Sequence, residues 1–550
     1  MVHSIYQTLL LSTVPWISLI YLLKILDDKW WYLLSLLLTA AIALLYQCYI
    51  YPHRTPFQGN HSRPVKLVSQ ELPRLCHEFR DAQIIRYYSF LSAEMVLVLG
   101  PEAIAELVFT RADDFAHSAN MKLLAEAGLG YAGLMGMRGH EHKRFRKLFA
   151  PVFSPATLSK IGNPLWDSCL RLLDSLYDPQ GHEAAAVNIS QWSSVSVLEL
   201  SGIGVFGQDP GWLARYSKLP DTLERRVATG HIQKMVLAIF PRSIRSLLML
   251  TLFGRRELAD LQYIRDVALD MARIEKKKQS ASNMQKKGLT EDVGNSGRPY
   301  PHNIISVLLD DGEDGDNEDD DVACKSRDKY NEVLIGHILI FLVGASETTS
   351  ASFQWMILEL CRHPEVQTRL REEVESHWSL LLSSTSSSSS PSVFPQLEAL
   401  PYLRAVIDEV FRLHPTVILT EHEATRDTII LDTPIPKGTL LLCPPLAANS
   451  NPRVWGEDAA LFNPDRWLLS ERPINSRQYP CANMTFSHGP RACPGRSISR
   501  LMLACLTAGF VHQYEVSLDN PEQSYVPVES VYAKPAPDLI VRLTRRRPVP

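Results

Sequence analysis

Eleven residues near the C-terminus constrain this chain more than any other stretch: Phe486-Ser487-His488-Gly489-Pro490-Arg491-Ala492-Cys493-Pro494-Gly495-Arg496. Directly behind them, residues 498–511 carry apolar side chains at helical spacing, among them Ile498, Leu501, Met502, Cys505, Leu506 and Phe510. A thiol just ahead of a helix N-terminus and flanked by guanidinium groups is biased toward its anion. Such a thiolate acts as a nucleophile or a metal ligand, and glycines on either side let a flat, bulky group approach the backbone. A buried structural cysteine is the plain alternative. Zinc fits worse, because Cys481, His488 and Cys493 lack the paired short spacings a zinc site uses.

Residues 330–362 form a long apolar helical run, interrupted once by Gly344-Ala345-Ser346-Glu347-Thr348-Thr349. A helix of that length spans roughly 50 Å, enough to cross a whole domain. Glu347 and Thr348 inside it cost stability unless they face a cavity or find partners. A threonine bonded to the carbonyl one turn back also bends a helix and opens a groove. Two further groupings stand out. Glu409 and Arg412 are neighbours on one helix face, a spacing that at a surface is worth little. His142-Lys143-Arg144-Phe145-Arg146 is a basic cluster that reads equally as a solvated face or a docking patch.

The pattern Phe486-x-x-Gly489-x-Arg491-x-Cys493-x-Gly495 resembles the haem-binding loop of the cytochrome P-450 superfamily, with five fixed positions in ten residues. The resemblance implies that Cys493 is the axial thiolate of a haem b iron, a ligand that favours O–O cleavage. It extends to residues 344–349, similar to the family's oxygen-binding kink, which implies a proton relay through Glu347 and a hydroxyl from Thr348 toward dioxygen; Ala345 stands where glycine is usual. It implies a structural triad of Glu409, Arg412 and Arg466, the last within Phe462-Asn463-Pro464-Asp465-Arg466-Trp467, that locks the loop before Cys493. It also implies cofactor-binding roles for His142 (in place of the usual tryptophan), Arg146, Arg491, Phe486, Gly489 and Gly495. His422, five residues before Asp427, stands where another propionate-binding arginine is usual. Guanidinium groups suit haem carboxylates because their fork matches a carboxylate. Substrate contacts would come from residues 117–137, 338–345 and 417–420, mainly apolar stretches that favour an apolar small molecule.

The expected fold is mainly α with a minor β region, a P-450 fold behind an N-terminal transmembrane anchor. Hydrophobic residues make up 45% and charged residues 21%, ordinary for a globular chain, and nine irregularly spaced cysteines suggest a reducing compartment rather than a disulfide framework. Residues 30–50 are 21 residues without a charge and with aromatics at both ends; residues 5–26 form a weaker apolar segment. Together they read as an anchor of one or two spans (1–50), followed by a Pro-rich linker (51–66) and a catalytic domain (67–550). Basic residues after the anchor place that domain on the cytosolic side of the endoplasmic reticulum membrane, where the sequons at Asn60, Asn188 and Asn483 stay unmodified. Inserts are expected near 279–300, 310–328 and 380–395. The acidic run at 310–321 lacks the spacing of a calcium loop.

The expected activity is a monooxygenase using dioxygen to hydroxylate or epoxidise an apolar small molecule, as a tailoring step in the biosynthesis of a terpenoid, polyketide or alkaloid. The tail after Cys493 is too short for a fused flavin domain, so electrons are expected from NADPH through a separate membrane-bound reductase, with cytochrome b5 as an accessory donor. No nucleic-acid partner is expected. The alternatives are a haem isomerase, dehydratase or peroxygenase on the same fold, and a non-catalytic membrane-tethered scaffold.

Overall fold

The computed structural model describes residues 74–88, 94–131, 133–176, 185–228, 252–288, 303–313, 320–383, 391–468, 479–527 and 532–546. The expected anchor and linker lie outside them. The chain divides into two compact units, residues 1–66 with 85–95 and residues 67–84 with 96–550. Of the first, only parts of strands β1 (Ile84–Tyr88) and β2 (Glu94–Val98) are described. All that follows concerns the second.

Its longer helices, in chain order, are α1 (Gly139–Phe149), α2 (Pro155–Asp174), α3 (Ile189–Phe206), α4 (Leu219–Ala228) and α5 (Leu252–Gly288). They continue with α6 (Ile304–Glu313), α7 (Asp320–Arg362), α8 (Pro364–Ser383), α9 (Pro401–Leu413) and α10 (Arg496–Gln513). The Tyr330–Arg362 part of α7 is long and apolar enough to cross a membrane, but 61% of its most apolar stretch is buried in protein. Ile338, Leu339, Phe353, Met356, Ile357 and Leu360 are fully enclosed. A helix apolar all round is a core helix, and α7 is the axis of this one.

Small hydroxyl side chains let α3 lie close along α7: Ser193 Oγ is 3.0 Å from Ser350 Oγ, and Gln354 donates to Ser193 Oγ at 3.1 Å. On another side α10 meets α7 through Thr349 and Ser499, whose hydroxyls are 3.1 Å apart, and through the edge-to-face pair Phe353–Phe510. Leu165 and Trp166 of α2, Val410 of α9 and Leu506 of α10 complete the same core. Each fully buried side chain of this kind stabilises by about 1.5–3 kcal/mol.

The β region is small. β3 (Phe115–His117), β5 (Thr420–Ala424) and β8 (Leu440–Cys443) form a sheet with residues 96–98 of β2, in the order β2-β8-β5-β3. Its register sets His117 opposite His422. β4 (Ala185–Asn188), β9 (Tyr514–Leu518) and β12 (Ile540–Arg545) make a second sheet, with β12 in the middle. β6 (Thr428–Ile430) pairs with β7 (Thr433–Ile435), and β10 (Val526–Pro527) with β11 (Pro535–Ala536).

The expected insert boundaries shift. Residues 279–288 are not loop but the end of α5, where Gln, Ala, Met and Lys sustain a helix without a core to pack on. The acidic run begins inside α6, whose start is fixed by reciprocal bonds between Asn303 and Ser306. Asp311 at its far end is offset by Arg144 at 2.6 Å. Of the Ser-rich stretch, only 384–390 lies outside the described residues. Ser392 caps a short helix (Val393–Glu398), and the backbone N–H of Val393 is held by Asn163 at 2.8 Å.

Candidate functional site

The Cys493 loop is a chain of tight backbone bonds. Ser487 N–H donates to Met484 O, Ala492 N–H to Gly489 O, and Cys493 N–H to Phe486 O at 2.8 Å. Ser487 and Gly489 both adopt left-handed backbone, and a Cβ at Gly489 would lie 2.0 Å from Val108 O. Glycine at 489 is therefore demanded by the protein's own backbone rather than by a bound group. Phe486 stands edge-on to Phe411, centroids 4.8 Å apart, under the Arg496 guanidinium. A Cβ at Gly495 would lie 3.8 Å from Cys493 Sγ, an ordinary contact.

The Cys493 thiol is accessible to solvent, whereas the other described cysteines are wholly or partly buried. Its ionisation differs from the expected thiolate bias. Burial pushes the thiol up, against the backbone N–H groups of Gly495 and Arg496 and the charges of Arg146 and Arg496. The loop alone does not hold a free anion; a positive ion bonded to sulfur is needed to complete it.

Across α7, the expected interruption is not a break: the helix runs unbroken from Asp320 to Arg362. Ser346 and Thr348 fold their hydroxyls back onto Leu342 O and Gly344 O, at 2.7 and 2.8 Å, so the polar groups are satisfied within the helix. Gly344 is exposed in the middle of this core helix, and a Cβ there would meet nothing within 4 Å. The open face thus belongs to Gly344 and to Thr348 one turn on, while Ala345 packs against the core and does not narrow it. Burial lifts the Glu347 carboxyl to about 7, with Glu224 adding to the shift and Lys534 opposing it.

Between these elements lies a cluster of nitrogen groups. α1 supplies His142 and Arg146, the β3–β5 pairing supplies His117 and His422, and the loop supplies Arg491. The rings of His117 and His422 are 5.9 Å apart. Arg491 Nη2 donates to Met137 O at 2.8 Å, while its Nη1 is buried and unpartnered, as is His117 Nδ1. Burial, with the charges of Arg138 and Arg146, brings Arg491 down to about 10. Burial followed by the Arg491 charge brings His117 and His142 to about 4. Burial and His117 bring His422 to about 3. Buried cationic donors left unpaired are costly, so this arrangement is built for an anion with several acceptor oxygens.

A pH dependence follows. Three imidazoles with folded pKa values below the unfolded 6.5 bind fewer protons folded than unfolded, so stability is lost as pH falls through 6.5 toward 4. The protein without bound anion should show a lower urea midpoint at pH 5.5 than at pH 7.5, and His142→Gln should flatten that slope.

Glu409, Arg412 and Arg466 form one buried network. Arg412 donates to both Glu409 oxygens at 2.7 and 2.9 Å, and Arg466 Nε donates to Oε1 at 2.9 Å. Three partners were not evident from sequence. Asp458 pairs with Arg466 at 2.9 Å, Trp467 Nε1 donates to Glu409, and fully buried Asn449 joins the network to the loop. Asn449 donates to Arg412 O and Thr485 Oγ1, and accepts from Met484 N–H. His117 was also missed in this role, since its stretch read as substrate-facing. Only a strand register with residues 300 positions away reveals it.

The residues fit a haem. Among the described residues no group of three or more His, Cys, Asp or Glu side chains could hold a bare ion. A metal bound to Cys493 must therefore bring most of its ligands with it, as a macrocycle does. The unpaired donors of Arg491 and His117 suit carboxylates on that macrocycle.

Known proteins agree. The Cytochrome P450 family model matches residues 52–541. "Cytochrome P450 monooxygenase sphH" of Aspergillus fumigatus is 30% identical over 84% of this chain and 81% of its own length. "Cytochrome P450 monooxygenase FUM15" of Gibberella moniliformis is 29% identical over 80% and 77%. A crystal structure of a cytochrome P450, CYP102L1, shares the fold with a TM-score of 0.66 at 22% identity, covering 90% of this chain and all of that one. The chain belongs to the cytochrome P450 family, as a monooxygenase with haem-thiolate chemistry.

Proposed function

We propose that this protein hydroxylates or epoxidises an apolar small molecule as a tailoring step in fungal secondary metabolism. Its electrons come from NADPH through a separate reductase, with cytochrome b5 as an accessory donor. The cofactor is haem b. Cys493 binds its iron, and Arg146, Arg491, His142, His117 and His422 hold its carboxylates. The observation that carries this reading is an accessible sulfur facing a set of buried, unpaired cationic donors. Residues 1–50 anchor the chain in the endoplasmic reticulum membrane with the catalytic domain in the cytosol, a placement supported by the uncharged stretch 30–50 and the basic residues after it.

Bound through Cys493, the haem supplies an electron-rich iron that favours O–O cleavage. The chain's own residues manage protons and access. Thr348 has its hydroxyl hydrogen committed to Gly344 O and offers its oxygen lone pairs to the open face. Glu347, with a carboxyl near neutrality, both holds and releases a proton at working pH. The apolar wall of α7 keeps bulk water away.

The test is product analysis. Membranes containing the protein and a fungal reductase should convert apolar terpenoid or polyketide precursors only with NADPH, with label from 18O2 in the product. Turnover without any electron donor would instead identify an isomerase, dehydratase or peroxygenase. Thr348→Ala should keep NADPH consumption while product per NADPH falls about tenfold or more and hydrogen peroxide rises. Full coupling in that variant would remove Thr348 from the proton path.

A further inference from the structure

Glu347 does not act in isolation. The charged and titratable groups that act on it are Lys534 and Tyr532 from the C-terminal segment and Glu224 from α4. Lys534 Nζ and Glu224 Oε1 are 3.1 Å apart, with 27% and 58% of their side chains exposed, so the pair stands at the surface. Behind it, the segment is pinned to α7. Trp355 Nε1 of α7 donates to Ala533 O at 3.0 Å, and Ala533 N–H donates to Thr416 O at 2.7 Å. An ion pair that joins α4 to this segment has one end in water and the other beside the acid of the open face.

We propose that Lys534 and Glu224 are positioning residues for proton delivery, their opposed charges setting how readily Glu347 holds its proton. This rests on the reading of Glu347 as the relay acid. Lys534 favours the carboxylate and Glu224 the neutral acid. A half-exposed pair contributes little to stability, so neutral substitutions at either end leave the fold intact. Moving α4 away from residues 532–534 would withdraw Glu224 and leave Lys534 to act on Glu347 alone, shifting the acid toward its anion. The position of α4 is thereby linked to the supply of protons.

The two ends of one ion pair offer a sharp test. If the pair were only a structural tie, K534Q and E224Q would break the same contact and have the same effect. If it tunes Glu347, the effects have opposite signs. The measurement is an infrared titration of the haem-loaded protein, following the protonated-carboxyl C=O band that is lost in E347Q. The wild-type midpoint is expected near pH 7. It should rise in K534Q and fall in E224Q, each by about half a pH unit or more, with the double variant close to wild type. Peroxide release during NADPH oxidation should move along the pH axis in the same two directions. Shifts of one sign in both variants, or none in either, would overturn the proposal while leaving Glu347 as the relay. If E347Q removes no band and leaves the pH profile of peroxide release unchanged, the relay reading itself is wrong.

Discussion

Cys493→Ala should give a folded chain from which the red-shifted Soret band of the reduced, carbon-monoxide-treated protein is entirely absent, with NADPH-dependent product formation gone. The fold should survive because the loop is held by backbone bonds that alanine keeps. Cys493 N–H still donates to Phe486 O, and Ala492 N–H to Gly489 O. The lost sulfur is accessible rather than packed, so the cost in stability stays within about 1 kcal/mol. Haem should still associate, more weakly, through Arg146, Arg491 and the three histidines. Cys493→His separates ligation from binding: an imidazole there should hold iron without the thiolate spectrum. Wild-type protein that is folded and haem-loaded yet lacks the red-shifted band would falsify the assignment of Cys493.

What the sequence made legible and what it hid differ by the range of the interactions involved. The Cys493 loop, the Glu347–Thr348 pair and the Glu409–Arg412 pair each sit within a few residues, so their chemistry is written at fixed spacing. The mainly helical fold with a minor sheet was legible for the same reason, since a 3.6-residue apolar period is local. His117, Asn449 and Asp458 were hidden because their roles exist only through partners elsewhere: His422 across a strand pair, Thr485 across a turn, Arg466 across a bend. The apolar 3.6 period across 101–274 also masked two short strands, β3 and β4.

Other misreadings have physical causes of their own. Polar helix, such as the end of α5, carries no apolar signature, so composition alone reads as loop. Ala345 looked intrusive because the groove was placed at 345; the open face lies at Gly344, and one position around a helix turns a side chain by about 100°. Gly489 looked like space for a ligand, and is space for Val108 O. The expected thiolate bias of Cys493 weighed the helix end and the arginines but not burial, which opposes them.

Arg412→Ala should be among the most destabilising single substitutions in the molecule, because no donor on that guanidinium is idle. Nε and one Nη2 hydrogen go to Glu409; the others go to Asn449 O at 2.7 Å, Ala459 O at 2.6 Å and Leu461 O at 3.1 Å. The side chain is fully buried. Burial alone would raise the Glu409 carboxyl, and it is the bonds and charge of Arg412, with Arg466, that hold it below the usual range. Removing Arg412 leaves a buried carboxylate with half its compensation and three carbonyls without donors, a loss of about 3–5 kcal/mol. Against a total of about 5–15 kcal/mol that is a large share. Because Asn449 ties the end of α9 to Thr485 and Met484, the disturbance reaches the loop that carries Cys493. The variant should therefore lose haem on mild warming before it unfolds. Arg466→Ala should cost less, since Glu409 keeps Arg412 and Asp458, 42% exposed, returns to water. Urea unfolding of both variants, followed in parallel with haem retention, checks the order. Equal losses in the two would show that the guanidinium of 412 carries no special share of the lock.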